Sequence, residues 1–258
     1  MAFATTCPWQ RIWAAPLALA ALCMAPATGL ADDARASGEL KLTLGRYHLS
    51  NAAGSLDGDD LNLRGRGDNR TFWLGVYRDA NFGRQWRVGW DATWAPGEQT
   101  GLPWQVMPSL QSASGGFVGG SLGLQIGAPW YGQFGIGRTN LRPYANLNFD
   151  PNDALTLAVG WQGDGGRQAA LTLIADDRLH TGQKHWHLGG RWPVLAMPGL
   201  RVTADVLHKT GLGDGGPVNA WGWTLGLDWP SWFVRLARDP KQNFSVQDAW
   251  RLSGGLRF

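Results

Sequence analysis

Cysteine is almost missing from this chain: among 258 residues there are two, Cys7 and Cys23, both near the start. No disulfide can staple the bulk of the protein, and that bulk holds no thiolate for nucleophilic attack or metal ligation. Charge is also sparse, at 17% of residues, and its two signs nearly cancel, with 23 basic against 20 acidic side chains. Such a balance offers no basic face of the kind nucleic acid requires, so nucleic acid is not expected as a partner. After the opening segment, no uninterrupted apolar run reaches the length of about 20 residues that a membrane-crossing helix needs. Nor does a Pro/Ser-rich linker or a block of like charge divide residues 32–258, which are expected to form one domain.

The opening segment has a composition of its own. Arg11 precedes a mostly apolar run from Ile12 to Pro26, and small residues follow as far as Gly29, Leu30 and Ala31. A positive start, an apolar middle and a small-residue end form the order of a secretory signal peptide. Residues 1–31 are therefore expected to be cleaved after Ala31, with Ala36 as the alternative. The run is too short for a spanning helix and is interrupted by Pro16. Leu22 stands where a lipoprotein signal carries a small residue, which weighs against lipid attachment at Cys23.

What the chain has in excess is glycine, with 37, and tryptophan, with 16. Both fall into rows of period two. Trp86, Val88, Trp90, Ala92 and Trp94 alternate with Gln85, Arg87, Gly89, Asp91 and Thr93. Trp186, Leu188 and Trp192 oppose His185, His187, Gly189 and Arg191, and Trp221, Trp223, Leu225, Leu227 and Trp229 oppose Gly222, Thr224, Gly226 and Asp228. Helical spacing does not produce such rows, whereas a pleated strand does. A water-soluble sandwich would fill its apolar side with interlocking aliphatics. Tryptophan at the ends of the apolar rows, with glycine and charge opposite, instead fits a barrel turned inside out, its apolar side against lipid and its polar side within.

The last ten residues carry the most specific sign. Trp250, Leu252, Leu256 and Phe258 share one face of a strand that ends at the terminal Phe, with Arg251, Ser253, Gly255 and Arg257 on the other. This resembles the C-terminal signature of Gram-negative outer-membrane β-barrel proteins. The resemblance implies an all-β, antiparallel up-and-down transmembrane barrel in the cell outer membrane, bathed in outer-membrane lipid and lipopolysaccharide. It also implies recognition of the last strand by the barrel-assembly machinery.

Twelve strands are expected, over 39–49, 70–79, 83–95, 116–127, 130–139, 154–163, 167–177, 183–193, 199–209, 219–229, 231–239 and 248–258. Fourteen result if 104–112 and 142–149 are added, against which Pro103, Pro108 and Pro143 count, since proline removes a ladder hydrogen bond. With twelve, the connections sort into short and long sets, and both termini would be periplasmic.

The inward rows then contain Lys41, Arg87, Arg191, Arg201, Arg235, Arg251 and Arg257 with Glu39, Asp91, Asp176, Asp205 and Asp228. Cations exceed acids there, so a narrow path preferring polar or anionic solutes is one reading, lined by Arg87, Asp91, Arg191, Arg201, Asp205 and Arg235; mutual pairing that plugs the lumen is the other. Three polar groups suggest further chemistry. Asp150, Asn152 and Asp153 offer hard oxygens as a Ca²⁺ site would, although the glycine and distal glutamate of an EF-hand loop are missing and Asp-Pro and Asn-Asp also form ordinary turns. His185 and His187 share a strand face as a base and its neighbour or as two metal ligands, and His180 with Asp176 or Asp177 is the better candidate acid–base pair.

Two functions follow. The leading expectation is a small passive channel or porin for polar or anionic small solutes, with no cofactor. The alternative is an outer-leaflet enzyme that hydrolyses or transfers acyl chains of lipid A or phospholipid, using His180, His185 or His187 with Asp177 or Asp150 at the extracellular mouth. The one His-x-Ser spacing in the chain, His48 and Ser50, runs past the end of the expected strand 39–49, so no such pair lies wholly on an expected strand.

Overall fold

A computed structural model describes residues 38–96, 101–147, 153–176 and 178–258. The expected signal peptide with both cysteines, together with Asp150, Asn152 and Asp177, lies outside the described residues. The described chain runs β1 (Leu40–Asn51), β2 (Gly54–Arg66), β3 (Arg70–Asp79), β4 (Gly83–Ala92), β5 (Trp104–Ala113), β6 (Phe117–Ile126) and β7 (Trp130–Thr139). It continues β8 (Ala154–Gly163), β9 (Arg167–Asp176), β10 (Lys184–Pro193), β11 (Arg201–Gly213), β12 (Gly216–Asp228), β13 (Trp232–Asp239) and β14 (Asp248–Arg257). Each strand pairs antiparallel with its sequence neighbours, and β1 pairs with β14, so the sheet closes into a barrel without a free edge. Closure is what hydrocarbon demands, since an unpaired backbone group has no water to turn to there.

The described residues form fourteen strands, the second of the two expected numbers, but not the fourteen expected from the sequence pattern. One addition, β2, lies wholly within the 50–69 stretch read as a loop. Its outward row begins apolar with Leu63 and Leu61 and then becomes Asp59 and Asp57, so the apolar signal lasts only two positions. The other is β5, which keeps Pro108. Val106 exchanges two backbone bonds with Trp94 (2.8 Å each), so the N–H missing at Pro108 is one that would have faced β4. The ladder to β4 breaks there alone, while pairing with β6 runs from Trp104–Ile126 to Ala113–Phe117.

Of the 142–149 stretch the described residues 142–147 are not a strand; residues 140–147 lack regular structure and turn into the barrel. Adding β2 reverses β3 and β4 relative to the twelve-strand reading, and β5 restores the direction of all that follows. Connections at the end carrying the termini include 93–103 and 194–200, while 52–53 and 214–215 lie at the opposite end. The clean division into short and long connections is therefore lost. Which face of each strand points inward is unaffected, because alternation fixes it whatever the strand's direction.

The packing is inverted relative to a soluble domain. Trp130, Leu188, Leu44 and Trp221 are each at least 60% exposed on the outer face, a pattern ruinous in water and favourable in lipid. Trp86, Trp186, Trp221 and Trp250 belt the end opposite the termini, and Trp94, Trp104, Trp130, Trp192 and Trp232 belt the other. Buried apolar clusters inside are small, the larger being Tyr47, Tyr77, Ala145 and Leu147. Several inward glycines seat an aromatic ring from the facing strand: a Cβ at Gly89, Gly160 or Gly255 would collide with the ring of Trp73, Tyr131 or Phe233, each its direct cross-strand partner.

Candidate functional site

Among the described residues, chemistry-bearing side chains converge on the barrel interior. Its wall holds ion pairs between strands. Arg87 of β4 reaches across β3 to Asp60 of β2 at 2.5 Å, both nearly buried. Lys209 of β11 pairs with Asp239 of β13, and Arg257 of β14 pairs with Asp228 of β12 while lying 3.6 Å from Glu39. His187 Nδ1 lies 3.0 Å from Asp205 Oδ1. Pairing of this kind offsets the desolvation that an isolated buried charge would suffer.

From the end opposite the termini, two segments fold into this interior. The first is 140–147, where Tyr144 stacks on Phe117 with centroids 3.8 Å apart, and Ala145 and Leu147 pack against Tyr47 and Tyr77. Side chains of the wall satisfy its backbone: the Ala145 amide donates to Gln85 Oε1 at 2.7 Å, and the Leu147 carbonyl accepts from Arg251 Nη1 at 3.0 Å. The second is 240–247, containing a 3₁₀ turn at Gln242–Phe244. Gln242 Nε2 and Asn243 Nδ2 both donate to the Asn146 carbonyl, at 3.4 and 3.2 Å, so the two segments meet inside the barrel. Phe244 packs 5.1 Å from the His185 ring, over Lys209. Lys241, Asn243 and Phe244 take φ of 53°, 50° and 58°, conformations that non-glycine residues adopt only when their surroundings enforce them. At the same mouth partial burial raises the Asp214 carboxyl above its usual range, and its amide donates to the Phe244 carbonyl at 2.9 Å.

The sequence-derived candidates distribute unevenly over this arrangement. Arg87, Asp91, Arg191, Arg201, Asp205 and Arg235 all stand on inward rows, Arg191 being almost completely buried. His180 is exposed at φ 55° in the β9–β10 connection, and the carboxylate of Asp176 is occupied by the Arg178, Leu179 and Thr181 amides and the Thr181 hydroxyl. The His180–Asp176 pair is thus not assembled. His185 is fully buried rather than open at the mouth, and it is His187 that meets a carboxylate, Asp205, on the next strand. Asp153 is buried too, accepting the Thr139 amide at 2.8 Å with Arg178 3.6 Å away, the role of a turn-stabilising carboxylate. Among the described residues no group of three or more His, Cys, Asp or Glu is placed to hold a metal ion.

What sequence reasoning missed is the inward segment itself, which it placed outside. Its side of the interior carries Tyr47, Tyr77, Gln85 and Arg251, four inward positions on four different strands whose shared purpose becomes visible only once register is known.

No family model matches the sequence, and no curated protein matches it. Many solved structures do. The outer membrane protein Omp33 of Acinetobacter baumannii superposes with a TM-score of 0.51 at 10% identity, over 86% of this chain and 98% of that one. The NanC porin gives 0.45 at 10% identity over 83% and 98%, and OccK10 of Pseudomonas aeruginosa 0.38 at 12% over 86% and 98%. At such identity the likeness to Omp33 is one of fold: the chain has the architecture of an outer-membrane β-barrel.

Proposed function

We propose that the protein is a passive outer-membrane channel for small polar solutes, with a preference for anions, whose path runs past Arg87, Asp91, Arg191, Arg201, Asp205 and Arg235. The observation that carries this reading is an interior lined by charged side chains in place of an apolar core, narrowed from one end by two inward-folded segments. A ring of fixed charge at a narrow point sets selectivity. The preference for anions rests on the inward rung Gln168–Arg191–Thr203–Gly226–Arg235–Ser253, in which both arginines have uncharged cross-strand neighbours. On other inward rungs Asp60, Asp228 and Asp239 pair with Arg87, Arg257 and Lys209. In this reading both termini are periplasmic, the inward-folded segments enter from the cell exterior, and the outer leaflet's lipopolysaccharide surrounds that end. The last strand, with its terminal Phe258, is the element offered to the assembly machinery.

Reconstitution into planar bilayers tests the proposal. Discrete small conductance steps, with a reversal potential of anionic sign in a potassium chloride gradient, are expected. An absence of steps at any voltage, or cation selectivity, would overturn it.

A further inference from the structure

On four neighbouring strands the outward face changes from apolar to charged at the same rung. Leu44, Leu61, Val76 and Trp86 are cross-strand partners in sequence, and one position further toward the end opposite the termini the partners are Arg46, Asp59, Arg78 and Arg84. All four charged residues face away from the lumen, at positions where lipid meets the rest of the barrel. Arg46 is fixed as a fork by Asp59 and Asp57, each at 2.7 Å, and Arg78 lies 3.9 Å from the same Asp59. The side chain of Arg78 is 73% exposed. Three cations against two acids, Asp57 and Asp59, leave the cluster positive by one.

Its depth can be estimated from β3. Arg70 and Arg78 bracket Phe72, Leu74 and Val76 on the outward row. Eight residues at about 3.4 Å each, tilted by about 40°, span roughly 20 Å along the bilayer normal, close to the ~25 Å apolar band of such barrels. The arginine row therefore lies at headgroup level, directly above an aliphatic and aromatic surface that acyl chains would cover. A planar guanidinium held as a fork, beside two more within one rung, suits a phosphate monoester better than a zwitterionic or singly charged diester headgroup.

We propose that Arg46, Arg78 and Arg84 form the phosphate-binding edge of a site for the phosphorylated glucosamine headgroup of outer-leaflet glycolipid. The site rests on the orientation proposed above, since only the exterior end meets that lipid. Arg46 is positioned by its two aspartates, while Arg78 and Arg84 supply the charge that reaches outward.

The test is native mass spectrometry of the detergent-purified full chain titrated with lipid A, with dephosphorylated lipid A and with phosphatidylglycerol, comparing wild type with Arg78→Gln/Arg84→Gln. Wild type is expected to retain lipid A in preference to the other two. The double variant should bind it about thirtyfold more weakly, five- to sixfold for each cation at a charged lipid surface. Equal retention of the dephosphorylated lipid, equal retention of phosphatidylglycerol, or unchanged binding by the variant would each overturn the proposal. Both substitutions are on the outer face, so folding is checked by unchanged circular dichroism and unchanged conductance. Labelling a cysteine placed at Ala53 on intact cells separates the two readings: if it labels and the lipid result is negative, the orientation stands and the site does not.

Discussion

Arg251, on the strand that closes the barrel, donates from Nη1 to the Leu147 carbonyl at 3.0 Å, joining positions 104 residues apart in sequence. One side chain thus links wall closure to the segment that narrows the interior. Arg251→Met should leave that carbonyl without its charged donor. A loss of about 1–3 kcal/mol is expected, the penalty of an unsatisfied buried acceptor, read from urea unfolding in micelles. The same variant should show larger open-channel current noise, and a quiet, unchanged current would argue that the segment is held without Arg251.

Selectivity should follow the arginine rung. At about 6–8 Å and a water-like dielectric each unit charge favours a passing anion and disfavours a passing cation by roughly 0.6 kcal/mol, so Arg191→Gln together with Arg235→Gln should lower the anion-to-cation permeability ratio by up to about fiftyfold. Reversal potentials in a salt gradient measure it. An unchanged ratio would mean that ions pass elsewhere or do not pass.

The Lys209–Asp239 pair makes a prediction about stability alone. Both side chains are essentially inaccessible to solvent. Removing the cation by Lys209→Met strands a buried carboxylate and should cost about 3–5 kcal/mol. Replacing both, with Asp239→Leu added, should recover most of that loss, and recovery of none would show that Lys209 acts through the Lys241 carbonyl it also contacts at 3.0 Å.

Gly160→Leu should displace the Tyr131 ring and destabilise by about 1–3 kcal/mol, the usual penalty of overpacking. Adding Tyr131→Ala should relieve it. If the double variant is as unstable as the single one, the ring is not what the glycine accommodates.

The barrel was legible in the sequence because the pleat is local: Trp86, Val88 and Trp90 report their common face with no knowledge of any other strand. Two strands were obscured for separate reasons. β2 rises out of the apolar band, so Asp57 and Asp59 stand where leucine would have announced a strand, and β5 carries a proline whose missing donor matters on one side only. The inward segment was not legible at all. Tyr144–Leu147 read as a polar external loop because the groups that hold it, Gln85 on one side and Gln242 and Arg251 on the other, come from two parts of the chain far from it in sequence. The histidines illustrate the same limit. Sequence spacing favoured His180 beside Asp176 or Asp177, but the carboxylates that meet histidines are Asp205, brought to His187 by the register of β10 with β11, and Asp57, brought to His48 by that of β1 with β2.

The glycine seats beneath Trp73, Tyr131 and Phe233 bear on how roomy the tube is. Fourteen strands spaced about 4.8 Å apart and tilted about 40° trace a backbone circle roughly 28 Å across, before any side chain intrudes. A ring lying against a bare backbone takes little of that diameter, whereas the same ring propped on a neighbour's side chain would project toward the axis from every such position. Bore is thereby uncoupled from side-chain size at three places on the wall, and the smallest residue in the chain decides how much of the tube the largest ones occupy.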